Sequence, residues 1–179
     1  IVASGVGLVV LSPLFAVLAV WIKADSKGPV FYRQTRVGRN NKDFRLYKFR
    51  SMRPDSDKLG LITVGGRDPR VTRSGYYIRK YKLDELPQLI NVFVGDMSLV
   101  GPRAEQLHVL DVRPGITSLA SIRYRNENDV LAASDDPERC YIERVMPDKL
   151  EIDLEYVARA GLWSDIKLIF STFKEIIVK

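Results

Sequence analysis

IVASGVGLVVLSPLFAVLAVWI, residues 1–22, carries no charged side chain. An apolar run of that length suits a membrane helix, so its reading decides whether the chain folds in water or against a bilayer. Ser12-Pro13 sits at its middle. Proline removes one helical hydrogen bond and crowds the carbonyl of Val9, four residues back. The Ser12 hydroxyl can satisfy a freed carbonyl locally, which supports a bend in lipid. Two architectures follow. One is a kinked helix that spans. The other is a re-entrant helix-break-helix whose halves, about ten residues or roughly 15 Å each, cover half the hydrocarbon thickness before returning. The pattern alone favours the span. Trp21, then Lys23, Lys27, Arg33, Arg36 and Arg39, marks a cytoplasmic interface on the C-terminal side. The run lacks the basic start and cleavage site of a signal peptide. The chain opens on Ile1 rather than Met, and a missing N-terminal piece is expected.

The remaining residues, 23–179, have the character of one folded domain, large enough to bury a core. Twenty-eight basic residues against 22 acidic ones give +6, which points to an anionic partner: nucleic acid, anionic lipid or a phosphorylated substrate. A single cysteine, Cys140, excludes an internal disulfide, and a single histidine, His108, excludes a His-rich zinc site.

After a turn at Ser26-Lys27-Gly28-Pro29, Val30-Phe31-Tyr32 reads as a strand. A turn at 37–41 then makes a hairpin with Phe44–Arg50, placing Lys48 and Arg50 on one strand face, ordinarily a solvated edge. Residues 53–73 lack periodicity and read as a loop over a site. Tyr76–Lys82 is a basic helical segment, and 126–137 an acidic surface stretch. Asp148–Val157 alternates through Leu150, Ile152, Leu154 and Tyr156; the strand template fits best, with a helix through Leu150, Leu154 and Val157 the alternative. Residues 162–178 form an amphipathic helix with Leu162, Ile166, Ile169, Phe170, Phe173, Ile176 and Ile177 on one face. That face packs on the core or lies in a membrane interface with Trp163 at headgroup level. The fold class is α+β, with short antiparallel strands and amphipathic helices.

The chemistry concentrates at Lys82-Leu83-Asp84-Glu85-Leu86-Pro87-Gln88-Leu89. Arg67, Arg70, Arg73, Arg79, Lys80 and Lys82 precede the two carboxylates, and Gly101-Pro102-Arg103 follows. If Leu86, Leu89, Ile90 and Phe93 form one helix face, Asp84 is its N-cap and Glu85 its first residue. Helix terminus and cations then both favour an ionised Asp84, able to ligate a metal or attack phosphorus. The plain alternative is a capping Asp followed by a solvated Glu. Glycine and arginine recur together in the loops 53–73, 95–103 and 113–117, a pattern suited to binding phosphate through amides and guanidinium groups.

Asp68-Pro69-Arg70-Val71-Thr72-Arg73, Leu83-Asp84-Glu85-Leu86-Pro87-Gln88-Leu89-Ile90-Asn91-Val92, Gly95–Arg103 and Arg113-Pro114-Gly115-Ile116-Thr117 occur here in that order. With Leu46-Tyr47-Lys48-Phe49-Arg50-Ser51-Met52 and the Ser12-Pro13 break, they resemble the bacterial sugar transferase family, the monotopic phosphoglycosyl transferases that start glycoconjugate assembly. The resemblance covers residues 5–117 and, more loosely, 148–173. It implies transfer of a sugar 1-phosphate from a UDP-sugar to a polyprenyl phosphate, typically undecaprenyl phosphate, with Mg2+ and release of UMP. It implies Asp84 as nucleophile and magnesium ligand, Glu85 as its partner, and Lys48, Arg79 and Arg103 on phosphate oxygens. It also turns the topology toward the re-entrant form, both ends on the cytoplasmic face of the bacterial inner membrane. Where many relatives have Gly-Trp-Ala-Gln this chain has Ser118-Leu119-Ala120-Ser121, and Ala104 replaces a second proline; sugar and base specificity stay open.

Two other functions fit the bulk properties. A membrane-anchored binder of anionic lipid or nucleotide without turnover would have no use for a carboxylate pair among cations. Nucleic-acid binding would want aromatics clustered with the basic loops, and the apolar N-terminus argues against it.

Overall fold

The computed structural model of the chain describes residues 1–54, 56, 68–104 and 112–177. Most of the loop expected over 53–73, together with Arg67 and His108, lies outside the described residues. The described residues group into two compact units: 1–35, 45–54, 56 and 68–95 in the first, 36–44, 96–104 and 112–177 in the second.

The first unit is built on one helix, α1 (Val2–Asp25), uninterrupted at Pro13. The helix-break-helix expected there is therefore a single helix, and the reason is local. Pro13 has no N–H to give Val9, and the Ser12 hydroxyl donates to the Val9 carbonyl at 2.7 Å instead. At 24 residues α1 is about 36 Å long, and it is the one helix among the described residues long and apolar enough to cross a bilayer. Its buried side carries Leu18 and Ile22, which pack with Phe49 and Ile78 and are bordered by Leu14, Phe15, Val30, Phe31 and Leu83. The Phe49 ring takes Phe15 edge-on and Phe31 stacked. Each such side chain contributes about 1.5–3 kcal/mol on burial. Val9, Val10, Val17 and Val20 of α1 stay exposed.

Strands β1 (Phe31–Val37) and β2 (Asp43–Phe49) form a two-stranded sheet around a turn in which Asn40 and Asn41 adopt the left-handed conformation that asparagine tolerates. Two helices complete this unit, α2 (Arg73–Lys80) and α3 (Gln88–Val94). Thr72 caps α2 through the Gly75 amide at 3.0 Å, and the Asp25 carboxylate accepts from both the amide and the hydroxyl of Ser74 at 2.8 Å. Helix α3 lies along the N-terminal half of α1, where Gly5 and Gly7 face Phe93 and Leu89.

In the second unit β3 (Ser98–Val100) pairs with β4 (Gly115–Thr117) in parallel, Ser98 opposite Gly115 and Val100 opposite Thr117. Helices α4 (Leu119–Arg123), α5 (Glu127–Ala132) and α6 (Pro137–Cys140) follow, then a π turn at Tyr141–Val145, α7 (Met146–Ala158) and α8 (Leu162–Ile177). The acidic stretch 126–137 is largely exposed as expected, with Leu131 its buried exception. The strand expected over 148–157 is helical. The buried stripe of α7 is Val145, Lys149 and Asp153, spaced by four, whereas Leu154, part of the apolar alternation, is exposed. In α8 Leu168 is buried; of the apolar stripe Ile166 and Ile169 are half-buried, whereas Leu162, Phe170 and Phe173 face outward, as does Trp163.

Candidate functional site

Asp84 and Glu85 stand in a 3₁₀ turn, Leu83–Glu85, entered through Lys82 in the left-handed conformation at φ 57°. The N-cap position expected for Asp84 is not where the structure puts it: α3 starts at Gln88, after a buried Pro87. The carboxylates sit one turn ahead of the helix because Pro87, preset in helical geometry and lacking an N–H, suits the helix start. Lys82 is neither Gly nor Asn, so its left-handed backbone is a local cost held by the surrounding fold.

The surroundings of Asp84 reverse the charge argument made from the sequence. Burial raises its pKa most, the adjacent Glu85 charge adds to the rise, and Lys48, Arg79 and Lys82 pull it down without cancelling those two. The carboxyl keeps some solvent contact, but protein atoms crowd it on most sides. Standing alone, Asp84 is therefore held above the usual carboxylate range. Glu85 Oε1 meets the Lys48 ammonium at 3.2 Å, both side chains largely buried.

Lys48 reaches the dyad because β2 is stitched to α3. Asn91, fully buried, accepts from the Tyr47 amide at 3.0 Å and donates to the Arg45 carbonyl at 2.7 Å. Arg50, expected on a solvated edge with Lys48, is buried and works elsewhere. Its guanidinium donates to the carbonyls of Ser26 (2.7 Å) and Lys27 (2.8 Å) and to the Ser26 hydroxyl (2.8 Å), closing the C-terminal end of α1, where helix carbonyls lack partners. Gly28, at φ 126°, permits this: a Cβ there would lie 2.0 Å from Arg50 Nη1.

Arg79 acts on two carboxylates, lowering both Asp84 and Asp68. Asp68 is held below its ordinary range chiefly by hydrogen bonds from Arg70, whose Nε and Nη2 both reach it, at 2.9 and 2.6 Å. The first unit thus brings together Lys48, Arg79, Asp84 and Glu85 of the residues expected at the site.

Arg103 belongs to the second unit. Two motifs far apart in sequence meet there as backbone: Ser98 N donates to Pro114 O at 2.8 Å, Gly101 N to Thr117 O at 3.1 Å and Gly115 N to Pro102 O at 2.9 Å. The approach is so close that a Cβ on Gly115 would sit 2.1 Å from Gly101 N. Arg103 Nη1 reaches Ser121 Oγ at 3.5 Å, and Ser121 in turn bonds Ser118. Beneath them Asp153 accepts from the Ala120 amide at 3.2 Å and is pushed up by burial, while Lys149, almost fully buried, pairs with Glu127 at 2.6 Å. Asn91, Arg50 and Asp153 were missed in the sequence; the four-residue spacing of Lys149 and Asp153 was the available signal for the last.

A magnesium ion takes oxygen ligands from one or two carboxylates and leaves its other positions to water and phosphate. Asp84 and Glu85 supply that number, and a carboxylate whose ionisation is opposed by burial and a like charge gains most from a cation, so the residues fit. No group of three or more His, Cys, Asp or Glu side chains able to hold a metal occurs among the described residues.

The family model described as "Bacterial sugar transferase" matches residues 1–179. Among curated relatives, an Aeromonas hydrophila protein named UDP-N-acetylgalactosamine-undecaprenyl-phosphate N-acetylgalactosaminephosphotransferase is 40% identical across 99% of this chain and 42% of its own length. The UDP-glucose:undecaprenyl-phosphate glucose-1-phosphate transferase of Escherichia coli (strain K12) is 38% identical across 96% of this chain and 38% of its own length. The exopolysaccharide production protein PSS of Rhizobium leguminosarum bv. phaseoli is 37% identical, covering 92% and 86%. The chain spans about two fifths of the length of the first two.

Proposed function

Since this chain belongs to the bacterial sugar transferase family, we propose that it moves a sugar 1-phosphate from a UDP-sugar to undecaprenyl phosphate on the cytoplasmic face of the bacterial inner membrane. The observation carrying this is the crowded Asp84–Glu85 pair, ringed by Lys48, Arg79 and Lys82. In the first step an Asp84 oxygen attacks the phosphorus that bears the sugar, and the bond from that phosphorus to the bridging oxygen breaks, releasing UMP. In the second, a phosphate oxygen of undecaprenyl phosphate attacks the same phosphorus and Asp84 departs as carboxylate. The covalent intermediate lets two substrates of unlike solubility use one pocket in turn.

Each residue has a task in this scheme. Lys48 fixes Glu85 beside the nucleophile. Arg79 binds phosphate oxygens and gains strength as charge moves to the leaving group. Asp84 and Glu85 would hold magnesium, whose chemistry is to neutralise charge on the diphosphate.

In this proposal α1, one continuous helix, bends at Ser12-Pro13 within the bilayer so that both of its ends lie on the same face. Support comes from its packing: Gly5 and Gly7 near one end and Leu18 and Ile22 near the other all contact the same unit. About 25 Å of helix separates Gly5 from Ile22, so a straight crossing would carry one end of that unit through the hydrocarbon. The outward apolar stripe of α8, with Trp163, suits an interfacial helix.

UMP release across a panel of UDP-sugars with undecaprenyl phosphate tests the reaction. Mass spectrometry of donor-treated protein tests the intermediate, with a phosphosugar adduct expected on Asp84 and absent from Asp84→Asn. Substantial turnover by Asp84→Asn would remove Asp84 as nucleophile.

A further inference from the structure

Helix α2 buries Ser74, Gly75 and Ile78 and turns Arg73, Tyr76, Tyr77 and Lys80 outward, with Tyr81 just beyond its end. The three tyrosines are each 44–49% exposed, and Trp21 on the last turns of α1 is 41% exposed. They form one surface: Trp21 stacks on Tyr77 at 6.0 Å, Tyr76 meets Tyr77 edge-on at 5.3 Å, and the Lys80 ammonium lies 5.6 Å from the Tyr81 ring. A short helix that buries serine and glycine while exposing two large rings, with a third just beyond its end, is not arranged for a core in water.

We propose that this aromatic and cationic face of α2, with Trp21, is a binding surface for anionic phospholipid headgroups. Three observations select that partner. The surface is continuous with the exposed apolar valines of α1, so it lies where hydrocarbon gives way to polar headgroups, the level at which Trp and Tyr partition. No acidic residue occurs from Arg73 to Lys82, whereas Arg73 and Lys80 are exposed there and Lys23 stands near Trp21 on α1, so the charge complements an anionic leaflet. Tyr76, Tyr77 and Trp21 already spend ring faces and edges on one another, which disfavours the base stacking that a nucleic acid would require. The inference rests on α1 entering the bilayer, and it adds a consequence for the reaction. Arg79 is on the same short helix, so docking α2 to headgroups sets Arg79 at the height of lipid phosphate.

The test uses the chain reconstituted in phosphatidylcholine nanodiscs, with and without about one third phosphatidylglycerol, carrying Trp163→Phe so that Trp21 is the only tryptophan. Trp21 emission should be quenched by lipids brominated near the glycerol end, more so in the anionic discs. Arg73→Glu and Lys80→Glu should each weaken the anionic preference about fivefold, since one cation at such a surface counts for about 1 kcal/mol. Tyr76→Ser with Tyr81→Ser should increase quenching by aqueous acrylamide while the melting temperature holds. Equal quenching in both disc types, or strongest quenching by bromines at the chain ends, would overturn the proposal. UMP release measured in parallel separates the outcomes: a docked collar with no turnover sinks the transferase reading alone, and turnover indifferent to lipid charge with unchanged Trp21 depth sinks this one alone.

Discussion

Replacing Arg50 should loosen the site from the apolar helix α1. The guanidinium makes three short bonds to the end of α1, at 2.7, 2.8 and 2.8 Å; a fourth approach, to Ile22 O at 3.4 Å, is marginal, and that carbonyl also accepts from the Ser26 amide. Bonds from a charged donor contribute about 1.5–3 kcal/mol each, so three give roughly 4.5–9 kcal/mol before correction. Two corrections lower this. Ser26 and Lys27 are reached by water, which can replace part of what is lost, and Arg50 Nε is buried without an acceptor among the described residues, a standing cost of about 1 kcal/mol or more. Arg50→Met, similar in length and unable to donate, should therefore destabilise by about 3–5 kcal/mol, within the range seen when a buried charge interaction loses one side. For a chain of this size that is a fall of about 6–20 °C in melting temperature. Arg50→Lys keeps the charge but not the fork of donors and should lose about half as much. Gly28→Ala should mimic part of the defect, since its Cβ would displace Nη1. Thermal unfolding in nanodiscs, with hydrogen exchange at residues 22–28, measures both. An Arg50→Met melt within about 1 kcal/mol of wild type, with unaltered exchange there, would refute the assignment.

Acid inactivation should report Asp84. Its pKa is raised, and attack needs the anion, so activity should fall as pH drops while still above the ordinary aspartate range. Glu85→Gln removes a raising charge and should move that limb to lower pH in whatever activity survives; Lys48→Met removes a lowering charge and should move it higher. The same rise has a stability sign: a carboxyl whose pKa is raised in the fold stabilises fully below its unfolded pKa and loses that contribution as pH climbs through the folded one. Asp84→Asn should therefore match wild type in acid and melt higher at neutral pH in metal-free buffer, where equal melts would contradict the burial argument. Asn91→Ala leaves the Tyr47 amide and Arg45 carbonyl short of a partner and should cost about 2–5 kcal/mol, read by denaturant titration. Gly115→Ala should disrupt the β3–β4 pairing, visible as faster amide exchange at Gly101 and Gly115, because backbone rather than a yielding side chain blocks the new methyl.

Local pattern carried much of the fold. The uncharged run before Lys23, the hairpin flanking Gly38 and the amphipathic period of α8 all appear where side-chain periodicity placed them, since those signals depend on neighbours within a few residues. The helix at 146–158 is only the second choice on pattern because its buried residues, Lys149 and Asp153, are polar, and their burial depends on partners elsewhere: Glu127 and the Ala120 amide. Nothing near Arg50 in sequence announces that it closes a helix ending 25 residues earlier.

By itself the sequence determined which groups the protein has to work with: an apolar helix carrying Ser12-Pro13, a carboxylate pair, and cations in glycine-bearing loops. Tertiary structure decided what state those groups are in. The chain's cations suggest an ionised Asp84, yet packing strips away enough water that burial and Glu85 outweigh them. Desolvation is a property of everything surrounding a group in space, and it has no signature in the residues beside it in the chain.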